Sequence, residues 1–547
     1  MPITRTALAL LLVFFCSVAV SAQEVPSKSK DFVRALQFAA IDSDKPSFCH
    51  WGDKAKKYSD WTNHSNRLIP IYTFGIGLGK YSGENSAYRS EKRLTELYGE
   101  VPFETLNPDA MYMDQTDVYR LQKDAVAAGK KNIILIVFDG MDWQTTYAAS
   151  IYKNKKVAYK HGRGRGLAFQ DYAGCVTGYG FFVSSPHNNG TQPDVDAQVI
   201  KNPGGVKRGG YSVTHGGDRP STKARSLPYL IGRTKTVDHV VTDSAASATS
   251  MVTGKKTYNA AISVDVEGKH LKPIGHELQD QGFKVGVVTS VPISHATPAC
   301  TYANNVSRND YQDLSRDMLG IRSVAHKTDP LAGMDVVIGC GWGQMIDDDR
   351  EKQGKNFVPG NKYLTNKDIK SISIENGGKY VVARRTKGQR GDRLLRRAAS
   401  KAVKENSRLF GFFGGTGGHL PYQTADGGYD PTRGALTAER YKTEDIVENP
   451  TLEEMATAAL RVLGGSEKGF WLLIEAGDVD WANHNNNIDD SIGAVLSGEA
   501  AFEAVTEWVE QNSSWDETAV IVTADHGHLL VITDPKALTS EAQPSSK

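Results

Sequence analysis

Asn132-Ile133-Ile134-Leu135-Ile136-Val137-Phe138 is a continuous apolar run that ends in Asp139-Gly140. A strand with one wet face alternates apolar and polar residues, whereas an unbroken run is the pattern of a strand covered on both faces. Three further runs share this character. Phe283-Lys284-Val285-Gly286-Val287-Val288-Thr289 follows a helix-like stretch ending at Gly282. Phe470-Trp471-Leu472-Leu473-Ile474 follows a helix over Leu452 to Leu463. Ala519-Val520-Ile521-Val522-Thr523 follows a helix in which Ala501, Val505, Trp508 and Val509 share one face. Strands alternating with helices predict an α/β fold, a mostly parallel sheet sandwiched by helices. Ligands of such sheets bind beyond the carboxyl ends of the strands.

The 547 residues include 64 Lys+Arg and 63 Asp+Glu, so the chain lacks the basic excess of a general nucleic-acid or acidic-membrane binder. With 39% hydrophobic and 23% charged residues, disordered and collagen-like classes are excluded. Residues 1–22 read as a signal peptide: Arg5, an apolar stretch from Ala7 to Val20, and the small-residue site Val20-Ser21-Ala22. The stretch is about 14 residues, too short to span a bilayer comfortably. The expectation is an exported protein, periplasmic or secreted, with no membrane span after cleavage. Cys16 leaves with the leader, and Cys49, Cys175, Cys300 and Cys340 permit disulfides whose pairing sequence does not choose. Residues 23–130 form a polar N-terminal segment, and residues 131–547 carry the core, with insertions expected near 155–235 and 340–450. Gly162-Arg163-Gly164-Arg165-Gly166 has no buried strand leading into it and reads as a loop. The basic run from Arg384 to Lys404 reads as a solvated helix face.

Each core strand runs into chemistry. Asp139 follows the first, Glu475 then Asp480 and His484 follow the third, and Asp525-His526 follow the fourth. One such residue alone is more often a cap or turn residue; together they make a carboxylate and imidazole cluster at one sheet edge. Asp480-x-x-x-His484 puts two ligands one helical turn apart, a spacing that holds one zinc. Mixed nitrogen and oxygen donors suit zinc, and oxygen-only sets suit magnesium. In Val240-Val241-Thr242-Asp243-Ser244-Ala245-Ala246-Ser247-Ala248-Thr249, a short strand is expected to stop at Asp243 and a helix to begin, with Ser244 at its N-terminus. Backbone N–H groups there favour a phosphate. A serine hydroxyl needs a base or metal to become nucleophilic, and a nearby zinc is the better activator here.

Asp243-Ser244-Ala245-Ala246-Ser247-Ala248-Thr249, with Asp139-Gly140-Met141 and Thr523-Ala524-Asp525-His526-Gly527-His528, resembles the alkaline phosphatase family over most of residues 131–530. The resemblance implies hydrolysis of phosphate monoesters through a phosphoserine at Ser244, two zinc ions and one magnesium, and a homodimer. It makes Asp480 and His484 ligands of the first zinc. Asp525 and His526 become ligands of the second, and Asp139 lies between the second zinc and magnesium. Thr297 and Glu475 become magnesium ligands, and Arg308 the arginine that grips two phosphate oxygens. A planar guanidinium suits that bidentate task. His528 is expected to orient Asp480.

Three positions depart from the family's best-known pattern. His295 stands where an Asp often supports magnesium, and an imidazole there admits zinc at the third site. Trp481 stands where Lys or His is frequent, removing a positive contact to bound phosphate. Finally, the family's first zinc takes a further His from a later strand, but no His follows His528. His64-Ser65-Asn66-Arg67-Leu68-Ile69-Pro70-Ile71-Tyr72-Thr73-Phe74-Gly75 resembles the missing segment, so the family's C-terminal segment is expected at this chain's N-terminus, a permutation that neighbouring termini tolerate. His50, His215 and His419 compete with His64 for this role. A phosphodiesterase or sulfatase of the same fold is the nearest rival activity, although the Cys/Ser-x-Pro-x-Arg sulfatase motif is absent; a non-catalytic phosphate-binding protein is the rival of another class.

Overall fold

The computed structural model describes residues 31–213, 240–430, 432–435 and 440–539. The leader over residues 1–22 and His215 lie outside the described residues.

Ten strands form one sheet: β1 Ile69–Phe74, β2 Met113–Asp114, β3 Asn132–Phe138, β4 Thr177–Val183, β5 Lys284–Pro292, β6 Val336–Cys340, β7 Tyr380–Arg384, β8 Arg408–Phe412, β9 Phe470–Ala476 and β10 Thr518–Thr523. Their order across the sheet is β7-β8-β6-β5-β9-β3-β10-β1-β4-β2. From β7 through β10 every neighbouring pair is parallel. Every residue of β3, β9 and β10 is buried, as their unbroken apolar runs predict. The helices over Leu452–Leu463 and Ile488–Asn512 cover this sheet. At Gly498 the long helix comes so close that a Cβ would sit 2.3 Å from Phe138 and 2.9 Å from Ala476, the last residues of β3 and β9.

Parallel strands put all their carboxyl ends at one edge. Register fixes the level as well: Thr289 lies beside Glu475, Glu475 beside Val137, and Val137 beside Thr523. β1 is the exception in direction, antiparallel to both β10 and β4. The residues before an antiparallel strand arrive at the edge where its parallel neighbours end. His64-Ser65 therefore meets Gly527-His528 just beyond β10, in a short antiparallel ladder with His64 opposite His528.

Several expectations change. Val240–Asp243 is irregular chain and not a strand. The stretches read as insertions carry strands of the main sheet, β4 from the first and β7 and β8 from the second. β7 is an edge strand with one exposed and one half-buried residue, and β4 is Gly-rich, so neither shows the unbroken apolar run of a central strand. The polar N-terminal segment likewise supplies β1 and β2. Cys49, Cys175, Cys300 and Cys340 are all free thiols. The basic run does form a helix, Gly391–Lys404, that buries Leu395, Ala398, Ala399 and Ala402 and exposes Arg393, Arg396 and Arg397. Among the described residues, no helix is long and apolar enough to cross a membrane.

Candidate active site

The helix Ser244–Thr253 begins at the carboxyl edge of the sheet, and its cap organises the site. The Asp243 carboxylate accepts from Ala246 N at 2.9 Å, the usual N-cap bond. Its second oxygen accepts from Ala260 N at 3.0 Å and from Arg308 Nη1 at 2.9 Å. One side chain thus fixes both the helix that carries Ser244 and the guanidinium beside it. Ser244 is buried, with Oγ 3.1 Å from His526 Nε2.

Beyond Ser244 lie three overlapping donor clusters: His64, Asp480, His526 and His528; Asp139, Asp525 and His526; and Asp139, His295 and Glu475. His484 borders the first, with Nε2 3.4 Å from Asp480 Oδ1. His64 Nε2 is 3.6 Å from the same oxygen and only 3.0 Å from His484 Nε2. The outer nitrogens decide what this means. His64 Nδ1 lies 2.8 Å from Thr242 O, and His484 Nδ1 lies 2.7 Å from Thr62 O. A carbonyl only accepts, so each Nδ1 carries a hydrogen, and in the neutral rings both Nε2 atoms present lone pairs to each other. Burial would lower the His64 pKa, but Asp480 and the Thr242 carbonyl raise it, so in the metal-free protein a proton on His64 Nε2 bridges the pair, and a divalent cation would take that proton's place.

The carboxylates make the same case. Asp139, Glu475 and Asp525 are fully buried, and both oxygens of Asp139, Glu475 Oε1, Asp525 Oδ2 and Thr297 Oγ1 have no hydrogen-bond partner among the described residues. Burial, with Asp525, Asp480 and Glu475 nearby, pushes the Asp139 carboxyl well above the usual carboxylate range. Burial pushes Glu475 up to about 8, against the Thr289 hydroxyl that donates to it. Asp480 goes the other way: burial would raise it, but His484, His528 and His64 hold it well below its ordinary value. Burial takes His528 down to about 3 and, with Arg308, takes His295 to about 3. Uncompensated buried carboxylates are expensive, and neutral imidazoles beside them are ready ligands. The donor set therefore fits divalent cations: nitrogen-rich at His64, Asp480 and His484, mixed at Asp139, Asp525 and His526, and oxygen-rich at Asp139, Glu475 and Thr297 with His295 at its border.

The remaining candidates fall close by. His528 Nε2 lies 2.8 Å from Asp480 Oδ1. Arg308 Nη2 lies 3.4 Å from His295 Nε2, and Trp481 meets His295 edge-on at 5.8 Å. Of the competitors for the His64 position, His50 sits in the Cys49–Trp51 strand opposite Val531 and belongs to none of the three clusters, and His419 stacks on Tyr422 at 4.2 Å and meets Trp481 at 5.0 Å. Sequence reading missed three supports. Asp243 was visible only as part of the Asp-Ser-Ala motif, and the Thr289 hydroxyl on Glu475 left no signal. The third is Arg67, which bonds Asp142 at 2.7 Å and the carbonyls of His528 and Leu530 at 2.9 and 2.6 Å, tying the His64 segment to the chain after β10. Gly140 must be glycine: its φ is +73°, and a Cβ would lie 2.9 Å from His528 Nε2.

The structure thus combines a mostly parallel α/β sheet with three clusters of candidate metal ligands beside a helix-capped serine. The profile of the family described as alkaline phosphatase matches residues 212–543, more than half of the sequence, and the chain belongs to that family. It is 29% identical over 292 residues to alkaline phosphatase 4 of Bacillus subtilis, covering 53% of this chain and 50% of that one. It is 28% identical over 317 residues to the alkaline phosphatase of Escherichia coli, covering 54% of this chain and 60% of that one. The chain thus spans about half the length of the curated relatives it matches. Among solved structures, Thermus thermophilus alkaline phosphatase is similar with a TM-score of 0.44 and 24% identity, over 73% of this chain and 60% of that one.

Proposed function

We propose that this chain hydrolyses phosphate monoesters in two steps through a phosphoserine at Ser244, using two zinc ions and a third metal, magnesium or zinc. The observation that carries the reading is the convergence of His64, His484 and Asp480 with the buried, unpartnered carboxylate oxygens of Asp139, Glu475 and Asp525, where His526 Nε2 lies 3.1 Å from the Ser244 hydroxyl. In this reading His64, Asp480 and His484 hold one zinc. Asp139, Asp525 and His526 hold the other, and Asp139, Thr297 and Glu475 hold the third ion near His295. Ions so held supply Lewis acidity: they lower the pKa of a hydroxyl or water and neutralise charge on phosphoryl oxygens.

The chain's own residues then do the following. The N-terminus of helix Ser244–Thr253 and Arg308 bind the phosphate dianion; Asp243 holds the guanidinium by Nη1, and Nη2, 3.4 Å from His295 Nε2, turns to a phosphate oxygen. Ser244 Oγ attacks phosphorus, the ester P–O bond breaks and the alcohol leaves with a proton. Water then cleaves the Ser244–phosphate bond, restoring the serine and releasing inorganic phosphate. His528 keeps Asp480 oriented. The arrival of the His64 segment from the N-terminal side supports a permutation of the family's C-terminal segment. Export, a homodimer and small phosphate esters as substrates belong to the same proposal.

The test is metal content together with trapping. Purified protein should carry two or more zinc ions per chain and hydrolyse p-nitrophenyl phosphate. Label trapped at low pH should sit on Ser244, and Ser244→Ala should lose both label and most of kcat while retaining zinc. Label on any other residue, or a zinc-free active protein, would overturn the assignment.

A further inference from the structure

The rim of the site carries an aromatic side chain that the proposed chemistry does not use. Trp481 lies in the helix Asp478–His484, directly after Asp480 and three residues before His484. Residues three apart on a helix are surface neighbours, so the indole and the His484 ring share one face. Trp481 also meets His295 edge-on at 5.8 Å, and His295 Nε2 lies 3.4 Å from Arg308 Nη2. The indole therefore stands between residues assigned to the first zinc and the arginine assigned to phosphate. Trp481, His295 and His484 are half-buried, whereas Asp139, Ser244 and Asp480 behind them are buried.

The indole is held from behind. His419 is fully buried, meets Trp481 at 5.0 Å and 77°, and stacks on Tyr422 at 4.2 Å and 8°. Ser290 of β5 anchors both parts of this wall. Its carbonyl accepts from Leu420 N at 2.9 Å, which fixes the His419 segment. Its hydroxyl accepts from Gly477 N at 2.9 Å and donates to Asp478 Oδ1 at 2.7 Å, which fixes the start of the helix. The two ring contacts of Trp481 lie at 74° and 77°, so among the described residues no ring is stacked face to face on it. A fixed, half-exposed indole without a stacked partner suits a planar π-system.

The chemistry sets where such a π-system would lie. Ser244 Oγ sits beside His526, at the end of the site formed with Asp139 and Asp525. In-line displacement places the attacking and leaving oxygens at opposite ends of a paired-ion clamp. The leaving oxygen then emerges toward His64, Asp480 and His484, the end that Trp481 borders. We propose that Trp481 is a substrate-binding residue that stacks on an aromatic leaving group, so that aryl phosphate monoesters are the class this site favours over alkyl ones. The inference rests on the phosphatase reading.

The experiment uses metal-loaded full-length protein and the variants Trp481→Ala and Trp481→Phe. Calorimetry measures two non-hydrolysable anions: benzylphosphonate, in which a methylene replaces the ester oxygen of phenyl phosphate, and methylphosphonate, which has no ring. The parent should hold benzylphosphonate the more tightly. Trp481→Ala should lower the ratio of the two affinities about 5-fold, within the range of an aromatic pair, and Trp481→Phe should keep most of it. The KM for phenyl phosphate relative to that for glycerol 2-phosphate should rise in step. Damage to the helix or to the zinc ligands beside it would weaken both phosphonates alike, so the ratio isolates the ring contact. An unchanged ratio in Trp481→Ala overturns the proposal, as does a parent that prefers methylphosphonate, or a loss in Trp481→Phe as large as in Trp481→Ala. A parent that binds the phosphonates but cleaves neither ester sinks the phosphatase reading, while the affinity ratio still decides Trp481.

Discussion

Replacing His64 by Ala removes one of the three protein ligands assigned to the first zinc. Zinc held by four ligands in small domains binds with roughly 10–16 kcal/mol, so one ligand in four contributes about 3 kcal/mol, on the order of a 100-fold change in Kd. The structure separates this loss from the metal-free case. Without metal, His64 and His484 lie 3.0 Å apart and share at most one proton, so removing one ring costs about 1 kcal/mol, the worth of a single hydrogen bond. The variant should therefore melt close to the parent when both are stripped of metal and well below it when both are loaded. The assay is zinc content after dialysis against a series of competing chelators, followed by p-nitrophenyl phosphate turnover and thermal melting with and without zinc. Excess zinc should restore part of both metal content and activity. If His64→Ala keeps its full zinc and activity under chelation that strips neither from the parent, then His64 is not a ligand, and the permuted reading of the N-terminal segment fails with it.

Arg308→Ala should lose about 2–4 kcal/mol of transition-state stabilisation, roughly 30- to 1,000-fold in kcat/KM, and Arg308→Lys should recover only part because a point charge cannot bridge Asp243 and phosphate together; parent-like turnover by Arg308→Ala would remove it from the site. In metal-free protein the raised carboxyl pKa values, about 8 at Glu475 and about 8 at Asp317, make the folded state bind more protons than the unfolded one above pH 6.5, so stability should fall as pH rises toward 8. Metal loading removes the Glu475 part, so the chelated protein should show the steeper decline in denaturant midpoint; a chelated protein that gains stability over that range contradicts the sign. Gly498→Ala forces a Cβ to within 2.3 Å of Phe138, so overpacking of about 1–3 kcal/mol should outweigh the gain in helix propensity of about 1 kcal/mol and lower the denaturant midpoint.

The sequence by itself determined the central strands and the chemistry at their ends. Both are local: an apolar run of a few residues marks a strand buried on two faces, and the residue that follows it inherits a place at the carboxyl edge. Ser244 at a helix start and the Asp480–His484 pair on one turn are local in the same way. What lay across the chain was decided by tertiary structure. β7 is the sheet's edge strand, where partial exposure breaks the apolar signature, and only its pairing with β8, and that of β8 with β6, shows that both strands belong to the sheet. The antiparallel direction of β1 is what delivers His64 to an edge built from strands up to some 450 residues away, opposite His528. The bond from Asp243 to Arg308, the Thr289 hydroxyl on Glu475 and the approach of His419 to Trp481 depend on distances between side chains from separate segments. Periodicity along a chain carries no record of such distances, because they arise only when the strands have paired and set the register.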